Sequence, residues 1–361
     1  MIKHVANFSA GPSTLPASVL EEARDELVDY RGTGMSLIEM SHRGPLYTEV
    51  HTETTSLARE VLGAPDDFEV LFIQGGATLQ FSMVPMNLLG DGKAGGYVVS
   101  GSWAEKALAD AQIYGNAYKA WDGAPDGFCG MPQSEDIEVQ PGTRYLHVTS
   151  NETIGGVQML EWPVVGVPLV ADMSSDYMSR PIPWDLFDLV YGGAQKNLGP
   201  SGVTIVFVRR SVLETMNRDL GAYLRYDVHA DGDSLYNTPP VFSIWMVGKV
   251  LKWLVAQGGV AAMEAAARTK SGILYDAIAA SDDFYRSPVE PASRSLMNVV
   301  FRLPTEDLEA EFIAAATDAG FVGLKGHRSV GGCRASLYNA MPLDGVEALV
   351  GFMAEFKAER G

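Results

Sequence analysis

Residues 188–208 read DLVYGGAQKNLGPSGVTIVFV: a short apolar run, two glycines, a lone lysine at 196, a Pro-Ser-Gly turn and a second apolar run. Apolar runs of this length bounded by turn residues read as buried strands. Lys196 is then a single cation held between two buried strands. Burial disfavours an ammonium group, and a neutral amine is what a Schiff base with an aldehyde requires. A surface-turn lysine is the commonplace alternative, and this stretch by itself does not decide between them.

The pattern outward from Lys196 is alternating. Strands are expected at Val70–Ile73, Tyr97–Ser100, Tyr145–Thr149, Val165–Ala171, Leu189–Tyr191 and Val203–Val208, with helices over Thr78–Leu89 and Trp103–Ile113 between several of them. Near the start, Pro16 after Ser13 and Thr14 opens a helix with Leu20, Ala23, Leu27 and Tyr30 on one face. Tyr47, Val50, Thr54, Leu57, Val61 and Leu62 mark another. Strands buried on both faces and joined by helices predict an α/β fold with a mostly parallel sheet. Helical stretches at 243–256 and 260–280 form a connector. Beyond it come a strand at 297–303, a helix at 306–319, strands near 321–324 and 334–338, and a helix at 346–359, a smaller α+β unit. The expected division is a large domain over 1–257 and a small C-terminal domain over 258–361. The first ~15 residues are candidates to pack on the small domain.

With 361 residues and a formal charge of −18, the chain has the composition of a globular enzyme and is a poor partner for nucleic acid or an anionic membrane. Local arginines can still make a cleft attractive to small anions. Cys129 and Cys333 are the only cysteines, too few for a disulfide framework or a thiolate metal site. No signal-like apolar core opens the chain, and no apolar run reaches the roughly 18 residues of a membrane span. The expectation is a reduced, cytoplasmic protein with no metal.

In α/β sheets, ligands gather at the carboxyl ends of strands. Gln74-Gly75-Gly76-Ala77-Thr78 joins a strand to a helix, and its glycines would let backbone N–H groups approach a phosphate; an ordinary turn is the alternative. Asp172 closes the apolar run Val165–Ala171 and needs a partner, because an unpaired buried charge is costly. A protonated ring nitrogen would serve, as pyridoxal phosphate demands, and so would a helix cap or Arg180. Lys196 follows one strand later, giving an acid for a ring nitrogen and an amine for an aldehyde. Trp103 offers a flat stacking surface and Thr153 a hydroxyl for a phenolic oxygen, with core packing and a turn as the plain readings.

Longer motifs then carry a resemblance: NFSAGPSTLP at the start, SHRG at 41–44, HVTSNETIGG at 147–156, ADMSSDYMSRPI at 171–182, YGGAQKNLGPSG at 191–202, YNTPP at 236–240 and LKGHRSVGGCRASLYNAMP at 324–342. Over nearly its whole length the chain resembles the phosphoserine aminotransferase family, class V members of the fold type I pyridoxal-phosphate enzymes. The resemblance implies a large domain with a mostly parallel seven-stranded sheet and a homodimer with shared active sites. It implies that Lys196 holds the cofactor and shuttles a proton, Asp172 pairs with the ring nitrogen, Trp103 stacks on the ring and Thr153 bonds its oxygen. Gly76, Ala77 and Gln195 would bind the cofactor phosphate, joined by Asn237 and Thr238 of the neighbouring subunit. Arg334 would take the substrate α-carboxylate by a two-pronged contact. His42-Arg43 and His327-Arg328, if they converge, make a cationic pocket for the substrate phosphate or the glutamate side chain, with two exposed basic pairs as the plain alternative, and Ser9 would touch the amino acid. Some members carry an arginine in the glycine segment, but this chain has Gly75-Gly76-Ala77-Thr78-Leu79-Gln80, which places more of the anion binding on His327 and Arg328.

The implied reaction exchanges an amino group between L-glutamate and 3-phosphohydroxypyruvate, giving O-phospho-L-serine and 2-oxoglutarate in serine biosynthesis. The phosphorylated hydroxythreonine of pyridoxine biosynthesis is a candidate second substrate. The alternatives are an alanine–glyoxylate type aminotransferase, a cysteine desulfurase and a cofactor-binding protein without turnover.

Overall fold

A computed structural model describes residues 5–90 and 92–361. Its strands are β1 (Ala6–Asn7), β2 (Phe68–Ile73), β3 (Ala94–Val99), β4 (Asn116–Asp122), β5 (Thr143–Thr149), β6 (Asn151–Glu152), β7 (Val157–Gln158), β8 (Leu169–Asp172), β9 (Phe187–Gly193), β10 (Thr204–Arg209), β11 (Asn298–Phe301), β12 (Phe321–Val322) and β13 (Cys333–Ser336). Its helices are α1 (Ala17–Glu26), α2 (Pro45–Leu62), α3 (Gly76–Leu88), α4 (Ser102–Tyr114), α5 (Arg210–Thr215), α6 (Tyr226–Asp231), α7 (Val241–Ala256), α8 (Gly259–Ala279), α9 (Glu306–Asp318) and α10 (Leu343–Arg360).

Seven strands form one sheet in the order β2-β10-β9-β8-β5-β3-β4. Only β10 runs against its neighbours. Its strands alternate between two apolar layers, as the period of two requires. Val70, Phe72, Ile205 and Phe207 face a layer shared with Ala58 and Val61 of α2 and with Ile244, Val247, Leu251 and Leu254 of α7. Leu71, Ile73, Val206 and Val208 face the other, shared with Phe81, Met83 and Val84 of α3 and Ala107, Leu108 and Ala111 of α4. The boundaries of α2 follow from its ends, with Pro45 in its first turn and Gly63, left-handed at φ 58°, closing it.

A separate apolar cluster joins Leu274 and Ile278 of α8, Val299 and Phe301 of β11, Phe312 of α9, and Val346, Leu349 and Met353 of α10. Phe8 belongs to it, and β1 pairs in parallel with β12, so the N-terminal segment crosses from this cluster to the sheet. Thr305 caps α9 by accepting the N–H of Leu308 at 3.2 Å.

Three sequence expectations are corrected. Asn116–Asp122 is a strand that the apolar pattern did not signal. The strand expected from Val165 begins at Leu169, because Gly166 turns left-handed at φ 76° and Pro168 has no N–H to give a ladder. Helix α1 ends at Glu26, short of Tyr30; it buries Val19 and Ala23, while Leu20 and Leu27 are exposed.

Candidate active site

The parallel strands β2, β3, β5, β8 and β9 deliver their carboxyl ends to one side of the sheet, and a cavity sits there. Gly76, Ala77, Thr78, Trp103, Thr149, Asn151, Thr153, Asp172, Ser174, Ser175, Gln195 and Lys196 line it. Seven of the predicted residues therefore meet in one place, including the acid and the amine.

Lys196 leaves the chain in the turn after β9, where the N–H groups of Leu198 and Gly199 both return to the carbonyl of Ala194. Its Nζ donates to Thr153 Oγ1 at 3.1 Å, and that hydroxyl is also bonded to Ser175 Oγ. Its backbone carbonyl accepts from Ser13 Oγ, and the adjacent carbonyl of Gln195 accepts the Ser13 N–H at 3.1 Å. The lysine is thus fixed at its root and steered at its tip.

Asp172 ends β8 with 5% exposure. Its Oδ1 accepts the N–H of Ser174 at 2.9 Å, and no cation of the described residues forms an ion pair with it. Arg180, the alternative partner, instead pairs with Asp176 at 3.0 Å and donates to the carbonyls of Met159 and Leu160. Burial pushes the Asp172 carboxyl up, while the Ser174 contacts and the Lys196 charge across the cavity pull it back. A buried, unpaired carboxylate aimed at a cavity is a site for a cationic ligand group.

At the opposite wall, α3 begins with Gly75 at φ 96° and Gly76 at φ 67°. A Cβ on Gly75 would stand 2.6 Å from Leu79 Cβ, so this turn demands glycine both in conformation and in space. The N–H groups of Gly76, Ala77 and Thr78 have no partner among the described residues. Unpaired N–H groups at a helix start favour an anion. Between these walls stands the Trp103 ring, with Lys106 Nζ 4.3 Å from its centroid.

Arg334, on β13, donates from Nη1 to the Thr153 carbonyl at 3.1 Å, and its Nε is buried without a partner. The guanidinium therefore reaches the cavity's edge with donors to spare. His327 is half-buried and its Nδ1 lies 2.7 Å from Ser329 Oγ. Burial and then the charges of Arg334, Arg328 and Lys106 push its imidazolium down, which places these cations in one electrostatic neighbourhood.

The other predicted residues stand apart from the cavity. Ser9 packs against Gly323, whose hypothetical Cβ would collide with its Oγ. His42 and Arg43 lie before α2, and no hydrogen bond, ion pair or shared cavity joins them to His327 and Arg328 within the described chain. Asn237 and Thr238 lie before α7; the Thr238 carbonyl accepts from Gln74 Nε2 at 3.4 Å. Sequence reasoning did not single out Thr78, Thr149, Asn151, Ser174, Ser175 or Lys106. Each lies within four positions of a residue that it did single out, and that proximity was the only available signal.

Pyridoxal phosphate fits these residues: a carboxylate lacking a cation, an amine across from it, a ring surface and an unfilled cluster of N–H donors. Comparison with known proteins agrees. A family model for Aminotransferase class-V matches residues 5–349. A phosphoserine aminotransferase of Lysinibacillus sphaericus is 51% identical over 358 residues, 99% of each chain. The solved phosphoserine aminotransferase of Bacillus circulans subsp. alkalophilus superposes with a TM-score of 0.98 at 51% identity, covering 99% of this chain and 100% of its own. A pyridoxal-phosphate-bound phosphoserine aminotransferase of Trichomonas vaginalis gives 0.93 at 36% identity, covering 97% and 100%.

Proposed function

The chain belongs to the class V aminotransferase family, and we propose that it is the enzyme that transfers an amino group from L-glutamate to 3-phosphohydroxypyruvate, supplying O-phospho-L-serine for serine biosynthesis. The observation that carries the reading is the pairing of Asp172 and Lys196 across one donor-lined cavity. Pyridoxal phosphate, when bound, supplies the electron sink that lets the substrate Cα give up its proton.

The chain's residues supply the rest. Asp172 would hold the ring nitrogen protonated, and among the described residues no cation pairs with it in competition. The free N–H groups of Gly76 and Ala77, with Gln195, hold the phosphate ester. Trp103 fixes the ring plane. Lys196 would take the proton from the substrate Cα on one face and return it on that same face to the cofactor carbon two atoms away. The hydroxyls of Thr153 and Ser175 keep its Nζ on that face. Arg334 receives the α-carboxylate with the donors that Thr153 leaves unused. His327, Arg328 and Lys106 form a cationic rim for the remote anion, phosphate in one half-reaction and carboxylate in the other, so one site serves both substrates in turn.

A homodimer completes this reading. Val28, Met35, Ile38, Tyr236 and Phe242 are 80%, 46%, 53%, 51% and 39% exposed. They lie close in sequence to Tyr30, Leu37 and Trp245 of one buried cluster, and the Phe242 and Trp245 rings are 5.9 Å apart. Exposed apolar residues gathered in this way mark an interaction surface. His42-Arg43 follow Ile38 closely, and Asn237-Thr238 follow Tyr236, so a second copy seated here would carry both groups across to its neighbour's cavity.

The desulfurase alternative finds no nucleophile. Cys333 is fully buried in β13 with its thiol pushed far up by burial, and Cys129 donates to the carbonyl of Asp126; neither lines the cavity. The test is Lys196→Ala, which should abolish both the visible band of the lysine-bound cofactor and the half-reaction with glutamate. Full turnover in that variant would refute the assignment.

A further inference from the structure

Glu152, between Asn151 and Thr153, has no part in the chemistry above. It is 1% exposed, forms no ion pair among the described residues and does not line the cavity. Both its oxygens go to one helix: Oε1 accepts the N–H of Ala104 at 2.9 Å and Oε2 the N–H of Trp103 at 3.2 Å. These are donors that the first turn of α4 leaves unpaired. A helix is ordinarily capped by its own N-cap side chain. Here that residue is Gly101, and the cap comes from a strand 50 or so positions onward in the chain, an offset of the kind only tertiary packing makes.

Gly101 is itself informative. Its backbone is extended, at φ 165°, which any residue adopts. A Cβ there would nonetheless lie 2.6 Å from Glu152 Cδ and 2.8 Å from Oε2. The glycine is needed by the carboxylate. The arrangement is also costly as a mere cap: Asp172 and Glu105 both face Glu152 with like charge, and burial pushes its carboxyl up to about 7.

What the contact accomplishes is registration. Glu152 holds the backbone N–H of Trp103, and the next residue, Thr153, holds Lys196 Nζ at 3.1 Å. The ring surface and the amine are thus referenced to two consecutive residues, the last of β6 and the first of the turn that follows it. We propose that Glu152 is a positioning residue, setting the Trp103 ring at the stacking distance from a cofactor whose other attachment is Lys196. The proposal rests on the reading of Trp103 as the stacking surface.

The test is equilibrium dialysis of the full-length holoenzyme against graded pyridoxal phosphate, for the wild type, Glu152→Gln, Trp103→Leu and the double variant. Glutamine turns one acceptor oxygen into a donor that opposes a backbone N–H. At pH 8, where Glu152 is ionised, losing one charge-assisted bond should weaken cofactor binding about tenfold. In the Trp103→Leu background the same change should have no more than about a twofold effect, because coupled residues are not additive. Gly101→Ala, which displaces the carboxylate without removing it, should reproduce the tenfold loss and stands in if Glu152→Gln does not fold. A Glu152→Gln protein with wild-type cofactor affinity, or an undiminished loss in the Trp103→Leu background, overturns the proposal. Unchanged affinity in Trp103→Leu itself would remove the stacking reading and this role with it. No substrate enters the measurement, so an error in the assigned substrates leaves every outcome legible.

Discussion

Replacing Glu152 by glutamine should change the shape of the stability–pH curve of the cofactor-free chain, and not only its height. In the folded protein, burial raises the Glu152 carboxyl from 4.5 to about 7, against the two N–H bonds of Trp103 and Ala104 that favour its ionised form. Between those values the native state keeps a proton that the unfolded chain has released, so stability falls as pH rises. The rise corresponds, at 1.36 kcal/mol per decade, to about 3 kcal/mol. The side chain is 1% exposed, so solvent screening takes little from it. Below pH 4.5 the group is protonated in both states and contributes no slope; above about 7 it is ionised in both and the loss is complete. Glutamine cannot ionise. Denaturant unfolding of the two proteins at pH 5, 6, 7 and 8 should therefore show the wild type losing about 3 kcal/mol relative to Glu152→Gln, nearly all of it below pH 7.5. Taking the difference between the two proteins removes, to first order, the parallel titration of Asp172, whose carboxyl is also pushed up by burial. Parallel curves would refute the reasoning: they would mean that the two backbone donors hold Glu152 ionised throughout and that its burial carries no net penalty.

Asp172→Asn should separate stability from function. Removing a buried carboxylate that has no cation should stabilise the cofactor-free chain at pH 8 by about 1–3 kcal/mol, while the loss of charge against the ring nitrogen lowers turnover about 100-fold or more. Melting of the stripped protein and turnover of the loaded one check the two halves, and a variant that is both less stable and fully active would contradict them. Inactive Lys196→Ala mixed with an Asn237→Ala/Thr238→Ala double variant should, after subunit exchange, recover about a quarter of wild-type activity, since half the dimers are mixed and each of these holds one intact site. No recovery would mean that Asn237 and Thr238 do not serve the partner's cavity.

The parts of the fold legible in the sequence are those where burial is two-sided. Val70–Ile73 and Val203–Val208 read as strands because both faces meet an apolar layer, leaving no polar interruption. Asn116–Asp122 escaped because β4 is only partly buried: Lys119 is exposed while Ala117 and Ala120 are buried, so no apolar run forms, whereas β2, at the other edge of the sheet, is buried along nearly its whole length. In the site, Asp172 and Lys196 were legible because a lone charge at the end of an apolar strand has few explanations. Ser174, Ser175 and Asn151 were not, because small polar residues follow strands everywhere and only the turn geometry decides which of them face a cavity. Lys106 was hidden in an ordinary helix; its place over Trp103 follows from the i, i+3 neighbourhood on α4, which matters only once Trp103 is known to face the cavity. The convergence expected of His42-Arg43 with His327-Arg328 is not found within one chain, and sequence cannot say which subunit a motif serves.

Two helix N-termini, those of α3 and α4, reach the same cavity, and the chain treats them oppositely. Both carry the partial positive charge of aligned peptides and both have a glycine at the N-cap. Left alike, they would compete for a bound phosphate, and the ligand would have two orientations. At α4 the competition is removed from within: Glu152 occupies the N–H groups of Trp103 and Ala104, and Glu105 adds a second negative charge in the first turn. At α3 no acidic residue stands in the first turn, no side chain caps it, and the N–H groups of Gly76, Ala77 and Thr78 stay free. An anionic group is thereby directed to α3 and repelled from α4, while Asp172 attracts the cationic edge of the same ligand toward the end of β8. Three placements of charge on one scaffold then fix which way a flat, dipolar cofactor lies before Lys196 makes any bond to it. This is why a second buried carboxylate, placed so near Asp172 at a cost to stability, belongs to the site's function.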